Sequence, residues 1–101
     1  MAIYIYMIRP TRPEMLKTGL NDHEKAAYQA HVAYLDDLEK KGVLIIAGRA
    51  EANGICIFHA ESQEEAERIA NADPFVSRGV VTPTVMLFNV AAGTAVSSST
   101  R

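Results

Sequence analysis

The chain has 101 residues, of which 49% are hydrophobic and 22% charged, values that are typical of one globular domain. A formal net charge of -2 and the lack of a basic stripe argue against a nucleic-acid-binding or membrane-surface protein. No apolar run approaches the roughly 20 residues that cross a bilayer, and the opening segment does not resemble a signal peptide. The single cysteine, Cys56, excludes an internal disulfide and fits a reducing compartment, so we expect a cytoplasmic protein.

Hydrophobic periodicity divides the chain into six regular elements. In chain order they are strand 2–8, helix 22–41, strand 43–49, strand 55–60, a helix that opens after Ser62, and strand 84–90. Capping boxes mark the start of both helices, with Asn21 and Glu24 at the first and Ser62 and Glu65 at the second. Two prolines and a glycine between the first strand and the first helix predict an irregular loop. The order of elements is therefore βαββαβ.

This order predicts an α+β fold of the ferredoxin-like type, a four-stranded antiparallel sheet with both helices on one face. The domain would span residues 1–91, with a flexible C-terminal tail at 92–101. The strands are apolar on both sides, as Tyr4 and Tyr6 alternating with Ile3 and Ile5 illustrate. Two helices cover only one face of a sheet, so the other face needs a cover from outside the chain. We expect a face-to-face homodimer.

The predicted topology gathers polar residues at one edge of the sheet. The first two strands are parallel to each other, so their C-terminal ends bring Arg9, Arg12 and Arg49 to the edge where the first helix begins. His31 lies on the apolar face of that helix, about two and a half turns from its start. Asp73 ends the second helix at the same edge. A histidine beside a carboxylate is a candidate acid–base pair.

Each of these residues also has a structural alternative. His31 alone fits a core histidine bonded to a backbone carbonyl, and Asp73 fits a turn residue before proline. The arginines fit solvated loop charges. Cys56 stands in an apolar strand without a basic neighbour, which predicts a buried and inert thiol. The three histidines lack the spacing of metal ligands, and no nucleotide-binding or nucleophile motif is present, so we expect no metal and no cofactor.

Three segments resemble the YCII (YciI-like) family over residues 2–90: HVAYLDDLEKKGVLIIAGR, GICIFHAESQEEAERIANADPFVSRGV and VMLFNV. The shared pattern is a helical histidine, L-x-x-L, a glycine, A-G, an E-E-A helix, and D-P-[FY]-V followed by glycine. The resemblance implies a dimeric α/β barrel whose active site pairs a histidine with an aspartate, here His31 and Asp73. Arg49 in place of the commoner proline of A-G-P, together with IRPTRPEM near the start, is similar to the dehydrochlorinase branch of the family.

That resemblance implies a cofactor-free lyase that eliminates HCl from a small chlorinated hydroxyhydroquinone in the degradation of chlorinated aromatic compounds. His31, oriented by Asp73, would transfer the proton. The residues expected to bind the substrate are three arginines and two aromatic residues, Arg9, Arg12, Arg49, Tyr34 and Phe75. Two other functions stay open: a non-catalytic protein that binds a small molecule, and a lactone isomerase or cofactor-free oxygenase on the same dimeric barrel.

Overall fold

The computed structural model describes residues 1–93, which contain four strands and four helices. In chain order the elements are β1 (Ala2–Pro10), α1 (Met15–Thr18), α2 (Asp22–Lys40), β2 (Leu44–Ala50), β3 (Asn53–Ala60), α3 (Gln63–Ala72), α4 (Pro74–Ser77) and β4 (Val81–Leu87). The predicted flexible tail lies, from residue 94 onward, outside the described residues. Within residues 1–93 no helix combines the length and the apolar character that crossing a membrane requires.

The four strands form one antiparallel sheet in the order β2-β3-β1-β4. β1 and β2 both pair with β3, so they run parallel to each other and their C-terminal ends meet at one edge, as the sequence predicts. The long helices α2 and α3 pack on the same face of the sheet, which we call the inner face. The ferredoxin-like α+β fold is confirmed.

The core lies between this inner face and the helices. Tyr6 of β1 and Phe58 of β3 are fully buried, and their rings meet edge to face with centroids 5.5 Å apart. Alanines on the helices face them, Ala27 on α2 and Ala66 and Ala70 on α3, each 0% exposed. Because an alanine side chain is short, both helices approach the large rings of the sheet closely.

Local hydrogen bonds fix where the long helices begin and end. Asn21 Oδ1 accepts the Glu24 N–H at 2.9 Å and Glu24 Oε1 accepts the Asn21 N–H at 2.8 Å, the capping box that the sequence predicts for α2. Ser62 Oγ accepts the Glu65 N–H at the start of α3. After α2, Gly42 takes a φ of 75°, a value that favours glycine and ends the helix.

Beyond the short helix α4, which the sequence does not predict, the clearest differences from the prediction lie on either side of the first and last strands. The predicted loop after β1 contains α1, a single turn held by the burial of Met15 rather than by an apolar period. The last strand spans Val81–Leu87 instead of 84–90. Pro83 is tolerated inside it because β4, among the strands of residues 1–93, is an edge strand that pairs with β1 alone, so the missing N–H disrupts no second ladder there. The early start of β4 also extends β1 to Pro10.

Candidate active site

A cavity of about 700 Å³ lies between the sheet and α2. The strands β1, β2 and β3 supply its floor, and α1, α2 and α4 supply its walls. Most lining side chains are apolar, and the two basic ones are His31 and Arg49. This size and composition suit a small, largely apolar ligand that carries a few polar groups.

His31 and Asp73 form a hydrogen-bonded pair at the inner end of the cavity. His31 lies on the inward face of α2 with 8% of its surface exposed, and Asp73 is 0% exposed. The distance from His31 Nδ1 to Asp73 Oδ2 is 2.7 Å. The two residues are 42 positions apart in the chain, and the structure brings them together at the edge of the sheet that the topology predicts.

The backbone around Asp73 explains why its carboxylate turns inward. Pro74 disfavours helical geometry at the residue before it, and Asp73 takes an extended conformation with ψ 124° between α3 and α4. Its Oδ1 then caps α4 by accepting the Phe75 N–H at 2.9 Å. Tyr6 donates its hydroxyl to Oδ2 at 2.9 Å. The Tyr6 hydroxyl and the Phe75 N–H therefore both donate to this buried carboxylate, and His31 Nδ1 lies at hydrogen-bonding distance from it.

The partners of Asp73 determine the hydrogen position on His31. An ionised carboxylate only accepts hydrogen bonds, so Nδ1 is the nitrogen that carries the hydrogen. The other nitrogen, Nε2, has no partner among residues 1–93, and the side chain lines the cavity. Phe75 stacks on the imidazole with ring centroids 4.8 Å apart and restricts its rotation. A neutral His31 therefore presents a lone pair on Nε2 to the cavity.

The three predicted arginines occupy different surroundings, and one of them lines the cavity. Arg49 stands exposed near the end of β2, and its guanidinium makes no hydrogen bond or ion pair to the described residues. Arg12 instead forms a bidentate pair with Glu24, Nε to Oε2 at 2.8 Å and Nη2 to Oε1 at 2.7 Å. Arg9 follows the inward-facing Ile8, so strand alternation places it on the opposite face of the sheet.

Arg12 was expected to face the substrate, and its pairing with Glu24 is the reason that it lies outside the cavity lining. Arg9 lies outside the lining as well, and its guanidinium donates to Thr84 Oγ1 at 2.8 Å. The alternation of β1 already separates Arg9 from the inward-facing Tyr6 and is readable from the sequence. The pairing of Arg12 with a carboxylate of α2 is a tertiary contact, which the sequence pattern alone did not indicate.

Two aromatic residues line the wall, Phe75 and Tyr28, whose rings meet edge to face at 5.8 Å. Phe75 is in the predicted set, whereas Tyr34 lies outside the lining. Its hydroxyl donates to the Ile69 carbonyl of α3 at 2.7 Å, because its position on α2 turns it towards that helix. Burial raises the pKa of Tyr34 to about 12.

Cys56 lies on the cavity floor, 2% exposed, directly opposite Tyr6 in the pairing of β3 with β1. Burial raises the pKa of its thiol to about 11, so the thiol stays protonated at neutral pH. The predicted burial of this cysteine is confirmed. No group of three or more histidine, cysteine, aspartate and glutamate side chains converges on a possible metal position within residues 1–93.

Two comparisons relate this chain to known proteins. A family model, the YCII-related domain, matches residues 3–89. Among solved structures the chain is similar to 5-chloro-2-hydroxyhydroquinone dehydrochlorinase from Burkholderia phenoliruptrix AC1100, in complex with 2,5-dihydroxybenzoquinone, with a TM-score of 0.60. The similarity covers 85% of this chain and 93% of that one at 22% sequence identity, which supports a common fold. None of the curated proteins matches the sequence significantly. With the family model spanning nearly all of its described residues, the chain belongs to the YCII-related domain family.

Proposed function

We propose that the protein is a cofactor-free dehydrochlorinase that releases HCl from a chlorinated hydroxyhydroquinone. The observation that supports this most is the orientation of His31: its Nδ1 is held by Asp73 at 2.7 Å, and its Nε2 is open to an apolar cavity. A fixed imidazole with one free nitrogen is the arrangement required of a general acid–base group. The similar fold of a dehydrochlorinase, at 22% identity, agrees with the proposal.

The other side chains of the cavity fit a flat, electron-rich ring. Phe75 and Tyr28 offer aromatic surfaces against which such a ring can pack. Arg49 offers a planar guanidinium with no other partner among residues 1–93, which matches a pair of adjacent phenolate or hydroxyl oxygens. We propose that the substrate ring lies between Phe75 and the sheet, with its oxygens turned towards Arg49 and its chlorinated carbon near His31.

The proposed reaction is a tautomerisation followed by an elimination. His31 Nε2 takes a hydroxyl proton from the ring and returns it to the ring carbon that bears chlorine, which gives a ketone tautomer. A second hydroxyl then gives its proton to His31 Nε2, and the electron pair of its O–H bond forms a new carbonyl. The ring double bond at that carbon shifts to the chlorinated carbon, and the carbon–chlorine bond breaks with its pair leaving as chloride. The products are a hydroxyquinone and HCl.

This sequence balances without an external oxidant. The ring is oxidised to a quinone while the electron pair of the carbon–chlorine bond departs with chloride. Asp73 stays ionised throughout and favours the imidazolium that forms when His31 holds the proton. The role of Arg49 is to stabilise the negative charge that develops on the ring oxygens.

We also propose that the protein works as a homodimer. The outer face of the sheet, opposite the helices, carries apolar side chains from all four strands: Ile5, Met7, Ile46, Ile57 and Met86. Ile46 is 58% and Met86 39% exposed in the single chain. A contiguous apolar sheet face of this kind is covered in a stable protein, and a second copy offers a surface of the same shape.

Chloride release tests the proposed reaction directly. The purified protein would be mixed anaerobically with 5-chloro-2-hydroxyhydroquinone, and chloride and quinone would be measured against a protein-free control. We expect the two products in equal amounts at a rate that scales with enzyme. A second assay is run in air. There, consumption of oxygen without chloride release would identify an oxygenase, and binding without turnover would identify a small-molecule carrier. Either result would overturn the proposal.

A further inference from the structure

Tyr6 is a buried polar residue to which the proposed reaction gives no role. Its side chain is 0% exposed on the inner face of β1, and its hydroxyl donates to Asp73 Oδ2 at 2.9 Å. The same oxygen accepts the Nδ1–H of His31 at 2.7 Å. One carboxylate oxygen therefore joins Tyr6 to His31.

We infer that Tyr6 is a positioning residue that fixes the Asp73 carboxylate and sets how strongly it favours the protonated form of His31. The inference rests on the proposed function, because it assigns a role in the proton transfer by His31. Tyr6 does not line the cavity, so it acts through Asp73 rather than on the substrate.

The orientation of the carboxylate depends on donors from three elements. The Phe75 N–H of α4 holds Oδ1, Tyr6 of β1 holds Oδ2, and His31 of α2 shares that second oxygen. Without the Tyr6 hydroxyl, His31 would be the only side-chain donor to Asp73 among residues 1–93. The Asp73 carboxylate, which orients the imidazole, would then be held by the Phe75 N–H and by the imidazole itself.

The charge on the carboxylate depends on the same hydroxyl. A donor to Oδ2 takes up part of the negative charge, so the carboxylate stabilises the His31 imidazolium less than it would alone. Burial raises the pKa of the Tyr6 hydroxyl, which therefore remains a donor at every pH of interest. Removal of that donor would leave more charge facing His31 and keep Nε2 protonated to a higher pH.

Other ionisable groups around the pair do not obscure this effect. They are Tyr6 on β1, Tyr28 and Tyr34 on α2, Arg49 on β2 and Cys56 on β3. Burial holds the pKa of Cys56 at about 11 and that of Tyr34 at about 12, so both are neutral below pH 9. Arg49 keeps its charge over the same range.

The test compares Tyr6→Phe with Tyr4→Phe in the full chain. Tyr4 lies two positions earlier on the same inner face and its ring also packs near Phe58, but its hydroxyl bonds to no described residue. Both variants lose one hydroxyl and keep the ring. Two readouts are measured: the pH profile of kcat for chloride release, and the titration of the His31 nitrogens by NMR in the substrate-free protein.

For Tyr6→Phe we expect two midpoints to rise by roughly one pH unit: that of the acidic limb of the kcat profile and that of the His31 titration by NMR. This shift corresponds to the free energy of a hydrogen bond to a charged group. The kcat at the optimum should fall about tenfold with KM nearly constant, since the substrate contacts remain. Tyr4→Phe should match the wild type in both midpoints.

Unchanged midpoints in Tyr6→Phe, or equal shifts in both variants, would overturn the inference even if chloride release is confirmed. The NMR titration needs no turnover, so a protein without dehydrochlorinase activity would still give a decisive answer about Tyr6. A rise in the NMR midpoint without any chloride release would support the positioning role and reject the proposed reaction.

Discussion

The chemical character of the candidate site comes from which atoms of His31 and Arg49 remain free. Asp73 occupies Nδ1 of the histidine and leaves Nε2 for the cavity. The two arginines differ in whether the guanidinium has a partner. Glu24 binds that of Arg12, whereas no described residue binds that of Arg49. A side chain that has no protein partner at the rim of a cavity is available to a ligand.

Arg49 gives the first prediction. Replacing it with lysine keeps the charge but removes the planar pair of donors, so KM should rise about tenfold while kcat changes little. Replacement with alanine should raise KM further. The measurement is the steady-state rate of chloride release over a range of substrate concentrations.

Arg68→Ala is the matched control, because Arg68 is an exposed arginine whose partner is Glu64 on the outside of α3. It should leave both constants at their wild-type values. If Arg49→Ala binds and turns over the substrate as the wild type does, Arg49 has no part in recognition.

At the scale of elements, the segment between β1 and α2 forms one wall of the cavity. Met15, Leu16 and Leu20 of this segment line it. The Arg12–Glu24 pair ties the segment to the first turn of α2, and Arg12 Nη2 also bonds the Gly19 carbonyl at 3.0 Å. Arg12 thus supports the wall that its own loop contributes.

Arg12→Ala should therefore lower the melting temperature and raise KM with little effect on the pH profile of kcat. The hydrogen bonds from Arg12 lower the pKa of Glu24 to about 2, from an ordinary value of 4.5. A carboxyl whose folded pKa is depressed stabilises the protein fully above pH 4.5 and loses that contribution as the pH falls towards 2.

The difference in melting temperature between wild type and Arg12→Ala should accordingly be constant above pH 5 and shrink between about pH 4.5 and 2. Calorimetry across this range measures it. A difference that does not depend on pH would mean that Arg12 supports the loop by packing rather than through the ion pair.

The elements of this chain differ in how well their sequences predict them. α2 and α3 both begin where their capping signals place them, although the complete capping box forms only at α2. At α3 Ser62 Oγ accepts the Glu65 N–H, and the Glu65 carboxylate accepts the Glu61 N–H instead of that of Ser62. α1 and α4 have four residues each, too few for a periodic signal, and depend on the burial of Met15 and on the cap from Asp73. Short helices of this kind are fixed by tertiary contacts, which a single sequence does not display.

The same limit explains which site residues could be predicted. His31 and Asp73 follow from the topology, because strand direction and helix ends determine which edge they share. Tyr6 carries only one signal, its inward position on β1, and that signal is shared with Tyr4. The partner of Arg12 depends on side-chain pairing across a loop, which the spacing of charges does not specify.

At the scale of the whole molecule, the outer face of the sheet determines the expected assembly. Met86 and Leu87 are neighbours on β4 with 39% and 47% exposure, and strand alternation turns them to opposite faces. Met86→Asp would bury an unpaired charge in the proposed dimer interface, at a cost of several kcal/mol. We expect this variant to be monomeric by analytical ultracentrifugation.

Leu87→Asp is the control, since it introduces the same charge one residue away on the other face. It should keep the wild-type assembly. A wild-type protein that sediments as a folded monomer would reject the dimer, whatever the variants do.

The His31–Asp73 pair is the central claim, and a double-mutant cycle on chloride release tests it most directly. His31→Ala and Asp73→Asn should each lower turnover by about 10²–10⁴-fold, the usual contribution of general acid–base catalysis. The double variant should be hardly slower than either single one, because residues that act as a unit are not additive. Melting temperatures measured in parallel separate loss of fold from loss of chemistry. Folded, destabilised variants that release chloride at the wild-type rate would contradict the account and leave the pair a purely structural contact.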